Sequence, residues 1–163
     1  MADIIQLSRL DEKNSDLPFE EVDLHEMAED VVQHLESAAK KKNITVSLDG
    51  SPVMVNGVRH VIYEMLFNIA DNAIRYTDPK GTVKISLGMR GEHPYYCVED
   101  NGIGIAEDEQ KRIFERFYRV DKARSRQTGG SGLGLAIVRA IVSRNRGEIR
   151  VDSQVDVGTR FYV

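Results

Sequence analysis

Residues 83–104, VKISLGMRGEHPYYCVEDNGIG, decide the fold class of this chain. Apolar residues alternate with polar ones over residues 83–87, as in a strand with one buried face, and a second apolar run occupies residues 95–98. A glycine-containing turn at residues 91–94 separates the two runs, which predicts an antiparallel hairpin. The second strand ends at Asp100, so a carboxylate and a glycine-rich loop follow directly from the sheet.

Helical patterns flank this hairpin. Residues 22–38 carry an apolar stripe that ends before Lys40-Lys41-Lys42, and cations suit a helix C-terminus. Further helices are predicted at residues 58–76 and from Leu133 to Val142. Shorter runs predict strands at residues 44–48, 149–151 and 159–163 and a turn at residues 49–52. Helices mixed with adjacent antiparallel strands predict an α+β, two-layer sandwich with helices on one face of a sheet.

Composition limits the classes of protein to which the chain can belong. Its 163 residues with 41% hydrophobic content suit one domain with a core, and the net charge of −4 argues against a general nucleic-acid binder. The single cysteine, Cys97, excludes an intramolecular disulfide and a zinc site built on several cysteines. No apolar run reaches the roughly 20 residues of a membrane span, and no signal-peptide pattern is present. We therefore expect a cytoplasmic domain.

Three polar residues recur at four-residue spacing on the second predicted helix: Glu64, Asn68 and Asn72. This spacing places them on one helix face, where they could address one ligand together. Asparagine offers a carbonyl oxygen for magnesium and an amide donor for phosphate oxygens. The alternative is that they form the solvated face of an amphipathic helix, and their spacing alone does not exclude it.

Two glycine-rich segments follow. Residues 100–104, Asp-Asn-Gly-Ile-Gly, combine a carboxylate with glycines that permit close backbone approach, although a simple turn would have the same composition. Residues 129–135, Gly-Gly-Ser-Gly-Leu-Gly-Leu, lead into the third predicted helix, whose N–H groups would favour phosphate. The lysine of a Walker A loop is absent, and a flexible linker is the alternative for this loop.

A basic stretch lies between these glycine-rich segments. Residues 111–126 contain Lys111, Arg112, Arg116, Arg119, Lys122, Arg124 and Arg126 against Glu115 and Asp121, seven cations minus two anions, or +5. Aromatic residues at 114, 117 and 118 interleave with these charges, so the segment could anchor apolar side chains while it presents guanidinium groups to phosphate oxygens. A nucleic-acid patch would look similar, but the acidic remainder of the chain argues against one.

The four segments, in this order, resemble the nucleotide-binding domain of the GHKL superfamily and, within it, the orthodox sensor histidine kinases of two-component signalling. The matching motifs are the N box at residues 68–77, the first glycine box at 100–104, the F box at 114–119 and the second glycine box at 130–135. The resemblance implies the Bergerat fold over residues 17–163, with a mixed, mostly antiparallel sheet and a mobile ATP lid at about residues 106–130. Residues 1–16, with Ile4, Ile5, Leu7 and Leu10 at helical spacing, would be the tail of a preceding dimerisation helix plus a linker.

The resemblance also implies ATP and Mg²⁺ as cofactors and assigns roles to residues. Asp100 would accept from the adenine amino group, with Thr159 supporting adenine through water. Asn72 would ligate magnesium, and Asn68 would meet the phosphates and is a candidate catalytic residue. Arg75 would contact phosphate and Tyr76 the adenine face. Arg116 and Arg119 would make charge contacts to the polyphosphate, with Arg116 a candidate catalytic residue. The remaining contacts of the glycine boxes are expected from Gly102, Ile103, Gly104, Gly130, Ser131, Gly132, Leu133, Gly134 and Leu135.

Residue 68 bears on the type of reaction. Hydrolytic members of the superfamily carry a glutamate there that activates water, and a neutral amide cannot serve as that base. The resemblance therefore implies transfer of the γ-phosphoryl group to a protein histidine, with Glu64 as a candidate catalytic base one turn earlier. A GHKL hydrolase and a nucleotide-binding regulatory module without catalysis are the alternatives. Asn68 speaks against the hydrolase, and the intact motifs speak against the regulatory module.

The acceptor histidine is not expected within this chain. His25-Glu26 has the acidic neighbour of such a site but lacks the arginine and proline context that usually follows it. The expected partners are therefore a phosphoacceptor histidine domain of the same kinase and a response regulator, with no nucleic acid. We expect this chain to be a monomer that does not phosphorylate itself, the full kinase to be a homodimer, and its sensor to be membrane-bound.

Overall fold

The computed structural model describes residues 18–120 and 132–163. In chain order, its elements are β1 (Glu20–Asp23), α1 (Leu24–Lys41), β2 (Thr45–Gly50), β3 (Met54–Gly57), α2 (Arg59–Tyr76), β4 (Thr82–Arg90), β5 (His93–Asp100), α3 (Gly134–Arg144), β6 (Arg150–Gln154) and β7 (Gly158–Tyr162). Two segments lie outside the described residues. The first is residues 1–17, which include the expected helix tail at residues 1–16, and the second is residues 121–131, which include Gly130 and Ser131.

Local sequence explains where α1 begins. The Asp23 carboxylate accepts from the His25 backbone N–H at 2.8 Å and caps the N-terminus of α1. The predicted helical stripe included Val22, which was wrong. Because Asp23 caps the helix, Val22 lies before it, in β1, where it is buried opposite Val55. The other two helices begin within one residue of the predicted positions, at Arg59 and Gly134.

Five strands form the main sheet in the order β2-β4-β5-β7-β6. β2 pairs with β4 in parallel and all other neighbours are antiparallel, so the predicted mixed, mostly antiparallel sheet is confirmed. The predicted hairpin is β4 and β5, and Gly91 in its turn has φ of +63°. Inward-facing residues of these strands pack against Leu66 and Ile69 of α2, which makes two layers around one core.

The structure contains a small second sheet that the sequence analysis did not predict. β1 and β3 pair antiparallel, from Glu20 opposite Gly57 to Asp23 opposite Met54. Each strand has four residues, of which only one is buried: Val22 in β1 and Gly57 in β3. Neither strand therefore shows a recognisable alternation of apolar and polar residues. Within the described residues no helix is both long and apolar enough to span a bilayer.

Candidate nucleotide-binding site

A cavity of about 280 Å³ opens between α2, the end of β5 and the start of α3. The sequence-predicted residues that line it are Asn68, Asn72, Arg75, Tyr76, Asp100, Ile103, Gly104, Arg119, Gly132, Gly134, Leu135 and Thr159. The lining residues that sequence reasoning missed are Phe67, Asp71, Ile105, Ile113, Tyr118, Val120 and Phe161. Residues from all four motifs, which are far apart in the chain, therefore meet at one site.

Helix α2 supplies one wall of the cavity. Its lining positions 68, 71, 72, 75 and 76 follow the i, i+3, i+4, i+7, i+8 spacing of one helix face. The other side of the helix, including Leu66, Ile69 and Ala73, is buried in the core. The polar stripe is thus held toward the cavity because the apolar stripe is anchored to the sheet. Glu64, one turn earlier, is not among the lining residues.

The Asn68 amide is the unsatisfied polar group of this site. Its Nδ2 is buried and has no hydrogen-bond partner among the described residues. A Cβ built on Gly134 would lie 3.3 Å from Asn68 Oδ1, so the first residue of α3 approaches the amide closely. A buried donor without an acceptor costs about 1–3 kcal/mol, which an acceptor on a ligand would offset.

Asp71 and Arg75 form an ion pair on the lining face of α2. Arg75 Nε donates to Asp71 Oδ2 at 2.7 Å, and both side chains are partly exposed to the cavity. Sequence reasoning named Arg75 and missed Asp71. The i, i+4 spacing of an acid and an arginine beside Asn72 was the available signal. The pair sets the direction in which the guanidinium enters the cavity.

Asp100 lies at the opposite side of the cavity, at the last position of β5. It is 8% exposed and stands in register with Thr159 of β7. Burial raises the pKa of Asp100 to about 6, and hydrogen bonds from the backbone N–H groups of Gly102 and Thr159 oppose that rise. Gly102 N donates to Oδ1 at 2.9 Å. An ionised carboxylate has about four lone-pair positions, so after the bonds from Gly102 and Thr159 it can still accept from a ligand.

A hydroxyl network fixes Thr159. Ser153 Oγ lies 2.8 Å from Thr159 Oγ1 and donates to the Gly158 carbonyl at 2.9 Å, while Ile105 N donates to Ser153 Oγ at 2.7 Å. Because the Ser153 proton is committed to Gly158, Thr159 donates to Ser153 and keeps its lone pairs for a ligand or water. Ser153 was missed because a serine in a half-exposed strand carries no local signal of this role.

The first glycine box brings the loop after β5 against α2. A Cβ on Gly102 would lie 2.2 Å from the Tyr76 carbonyl oxygen. Gly104 has φ of +71°, and a Cβ there would lie 2.1 Å from the Gln154 carbonyl oxygen. These close approaches require glycine, and they place Ile103 and Gly104 at the cavity. Gly102 itself supports the loop from outside the cavity lining.

The basic stretch forms the outer wall as far as it is described. Ile113 is buried, and Phe114 packs edge-on against Phe161 with ring centroids 6.3 Å apart. These anchors bring Arg119 to the cavity, whereas Arg116 is exposed and does not line it. Leu133 likewise lies outside the lining, because it is buried against Ile137, Ile141 and neighbouring residues of α2.

Tyr118 closes the same wall. Its hydroxyl donates to Glu109 Oε1 at 3.0 Å, and the Arg112 guanidinium lies 4.2 Å from the ring centre. Phe117 has φ of +63° and its N–H donates to the Gly132 carbonyl at 3.0 Å, which joins this segment to the glycines before α3. Tyr118 precedes residues 121–131 in the chain and Gly132 follows them, and both residues line the cavity.

Comparisons with known proteins agree with this geometry. Residues 57–163 match the family model described as histidine kinase-, DNA gyrase B-, and HSP90-like ATPase. The chain is 40% identical over 163 residues to the sensor-like histidine kinase SenX3 of Mycolicibacterium smegmatis, covering 99% of this chain and 42% of that protein. It is 37% identical over 165 residues to the sensor histidine kinase RppB of Synechocystis, covering 100% of this chain and 36% of that protein.

Solved structures give the same result. Full-length ShkA in complex with AMPPNP superposes with a TM-score of 0.84 at 27% identity, covering 98% of this chain and 33% of that chain. The catalytic domain of the histidine kinase ThkA gives a TM-score of 0.78 at 27% identity, covering 90% and 93% of the two chains. The predicted fold class is therefore confirmed, and the chain spans about two fifths of the length of its first curated relatives. The chain belongs to the histidine kinase-, DNA gyrase B- and HSP90-like ATPase family, in the GHKL superfamily, and its relatives there are sensor histidine kinases.

Proposed function

We propose that the cavity binds ATP with Mg²⁺ and that the domain transfers the γ-phosphoryl group to a histidine on a separate phosphoacceptor domain of a two-component sensor kinase. The observation that carries the proposal is one cavity with a buried acceptor at one side, Asp100, and an unsatisfied buried donor at the other, Asn68. The family match and the similarity to a kinase solved with AMPPNP support a nucleotide as the ligand.

The Asp100 side suits the base of the nucleotide. A buried carboxylate with one oxygen held by Gly102 accepts well from an exocyclic amine, and Thr159 offers lone pairs to the same ligand or to a water. Phe161 and Ile113 provide apolar surface beside these polar groups. Adenine, which is flat and carries one amino group, matches this combination of an acceptor and apolar walls.

The α2 side suits a polyphosphate with its metal. Asn68 Nδ2 can donate to a phosphate oxygen, which satisfies its missing hydrogen bond. The Asn72 side-chain oxygen is the hard, neutral ligand type that Mg²⁺ accepts alongside phosphate oxygens. Arg75 and Arg119 line the same cavity and offset the negative charge. Mg²⁺ would supply charge neutralisation when bound, and these side chains would orient the phosphates.

Transfer is favoured over hydrolysis because the lining described here contains no suitably placed glutamate. The residue at position 68 is a neutral amide, and Glu64 does not line the cavity. Asp71 does line it, but its carboxylate accepts from Arg75 at 2.7 Å and is thereby held in an ion pair. We propose that the site positions and neutralises ATP and leaves the nucleophile to a second domain.

The binding half of this proposal is tested by calorimetric titration with a non-hydrolysable ATP analogue. We expect binding with Mg²⁺ and weaker binding in excess chelator. Asn72→Ala should lose most of that metal-dependent gain, whereas Asn56→Ala, an exposed asparagine of β3, should retain it. A folded wild-type chain that does not bind the analogue would refute the proposal.

The transfer half requires the phosphoacceptor domain of the same kinase, mixed with this chain and γ-labelled ATP. We expect acid-labile label on that domain and none on this chain. Label that appears only as free phosphate at a rate independent of the added domain would instead identify a hydrolase. Glu64→Gln tests the remaining candidate base: unchanged transfer would remove Glu64 from the catalytic residues.

A further inference from the structure

Three consecutive lysines stand at the end of α1: Lys40 and Lys41 are its last two residues, and Lys42 is its C-cap. The structure separates their roles. Lys40 Nζ lies 2.7 Å from Glu36 Oε1 on the same helix, and Lys41 is exposed. Lys42 Nζ instead donates to three backbone carbonyls at the far end of α2: those of Ile74 at 2.9 Å, Arg75 at 2.9 Å and Thr77 at 2.8 Å. One ammonium group thus spans more than thirty residues of sequence to reach the helix that lines the cavity.

The end of α2 needs such donors. A helix leaves its last four carbonyls without intrahelical partners. The C-cap of α2 is Thr77, which is extended with φ of −91° and ψ of 132°, so no glycine caps this helix. Thr77 Oγ1 donates to the Ala73 carbonyl at 2.7 Å, and Ile103 N of the glycine box donates to the Tyr76 carbonyl at 3.2 Å. The Lys42 ammonium donates to the remaining carbonyls of this turn, those of Ile74 and Arg75. Its positive charge also suits the negative end of the helix dipole.

This last turn carries two of the cavity residues. Arg75 and Tyr76 both line the site, and Ile103, which bonds to the same turn, lines it as well. The Lys42 carbonyl also accepts from Lys80 N at 2.9 Å, so the chain after α1 holds the turn after α2 at a second point. Removal of the ammonium would leave the Arg75 and Tyr76 backbone free to fray, because helix ends without capping partners are the least stable part of a helix.

We propose that Lys42 is a positioning residue of the nucleotide site: its ammonium fixes the C-terminal turn of α2 and so the directions of Arg75 and Tyr76, without touching the ligand. This inference rests on the proposed function, because it concerns the affinity of that same cavity. The charge of the ammonium matters less than its three donors, which match three carbonyls of one helix turn.

The test compares Lys42→Met with Lys41→Met, its exposed neighbour, at a temperature where both chains are fully folded. We expect Lys42→Met to weaken binding of the non-hydrolysable ATP analogue with Mg²⁺ about tenfold, and Lys41→Met to leave it unchanged. Hydrogen exchange of the residue 75–77 amides should accelerate in Lys42→Met alone, since exchange follows local opening of that turn.

Rescue separates positioning from general stability. In a Cys97→Ala background, Lys42→Cys should bind weakly, and aminoethylation of that cysteine should return the affinity to within about threefold of the background chain. If Lys42→Met fails to fold, Lys42→Arg serves instead. It keeps the charge but not the donor geometry, and it should still bind more weakly than wild type.

The outcomes separate this inference from the proposed function. If wild type does not bind the analogue, the proposed function fails and this inference fails with it. If wild type binds and both methionine variants bind equally well, only the role of Lys42 is refuted. Weakened binding without faster exchange at residues 75–77, or without rescue by aminoethylation, would also refute it.

Discussion

Replacement of Asp100 by asparagine should have opposite effects on ligand binding and on the stability of the free protein. Asp100→Asn keeps the size of the side chain and the acceptor for Gly102 N. It removes the negative charge and places an amide donor where the carboxylate would face the adenine amine. The loss of a charge-assisted hydrogen bond together with two donors facing each other costs at least about 2 kcal/mol, or roughly 30-fold in affinity.

The free protein should become more stable, for a reason that follows from the pKa. Burial raises the pKa of Asp100 from 3.8 to about 6, so the folded state favours the protonated, neutral form. As pH rises between these values, the unfolded chain loses this proton first, and the free energy of unfolding falls. A shift of about two units corresponds to a loss on the order of 3 kcal/mol above pH 6, which a neutral asparagine would recover in large part.

Two assays at pH 8 measure these effects: calorimetric titration with the ATP analogue and Mg²⁺, and urea unfolding of the free chain. Glu99→Gln is the matched control, because Glu99 precedes Asp100 on β5 but is exposed and paired with Arg160 on the surface. It should change the free energy of unfolding by no more than about 0.5 kcal/mol. If the Asp100→Asn protein binds the analogue within threefold of the wild-type affinity, the adenine assignment is refuted. If its free energy of unfolding without ligand is lower than that of wild type, the argument from burial is refuted.

The remaining predictions concern pH, the glycine loop, the outer wall and the hydroxyl network. Lowering the pH from 7 to 5 should weaken analogue binding by up to roughly tenfold as Asp100 gains a proton. Calorimetry of Asp100→Asn should show a smaller dependence, because only the terminal phosphate of the ligand then titrates in this range. Gly104→Ala should lower the free energy of unfolding by about 2–4 kcal/mol, because its Cβ meets Gln154 backbone at positive φ. Gly91→Ala has a similar φ but open space and should cost only about 1 kcal/mol in the same urea titration, so equal costs would contradict the packing argument. Arg119→Gln should weaken analogue binding several-fold more than Arg116→Gln, since only Arg119 lines the described cavity, and the reverse order by calorimetry would overturn this placement. Ser153→Ala leaves Ile105 N without its acceptor and should weaken binding a few-fold, whereas Ser47→Ala on β2 should not, and equal affinities would show that the network does not support the site.

The periodicity of single helices and strands was sufficient to predict much of the site from the sequence. Asn68, Asn72, Arg75 and Tyr76 face one way because a helix repeats every 3.6 residues or so, whatever packs around it. Asp100 could be placed at the end of a strand because the apolar run at residues 95–98 stops just before it. The glycines after it could be identified as points of close approach from their residue type, although their neighbours Tyr76 and Gln154 could not.

The sequence by itself determined the α+β class, the main helices, the hairpin and the polar face of α2, because these depend on patterns within one element. Only the tertiary structure decided that Lys42 rather than Lys40 or Lys41 caps α2, and that Arg119 rather than Arg116 lines the described cavity. It also decided the roles of Ser153 and Phe161 and the pairing of β1 with β3. Most of these choices depend on which residues distant in sequence meet at a helix end or a sheet edge. No local pattern of charge or polarity shows which distant residues will meet. Three consecutive lysines, or two arginines of one segment, have the same chemistry until the folded chain gives them different neighbours.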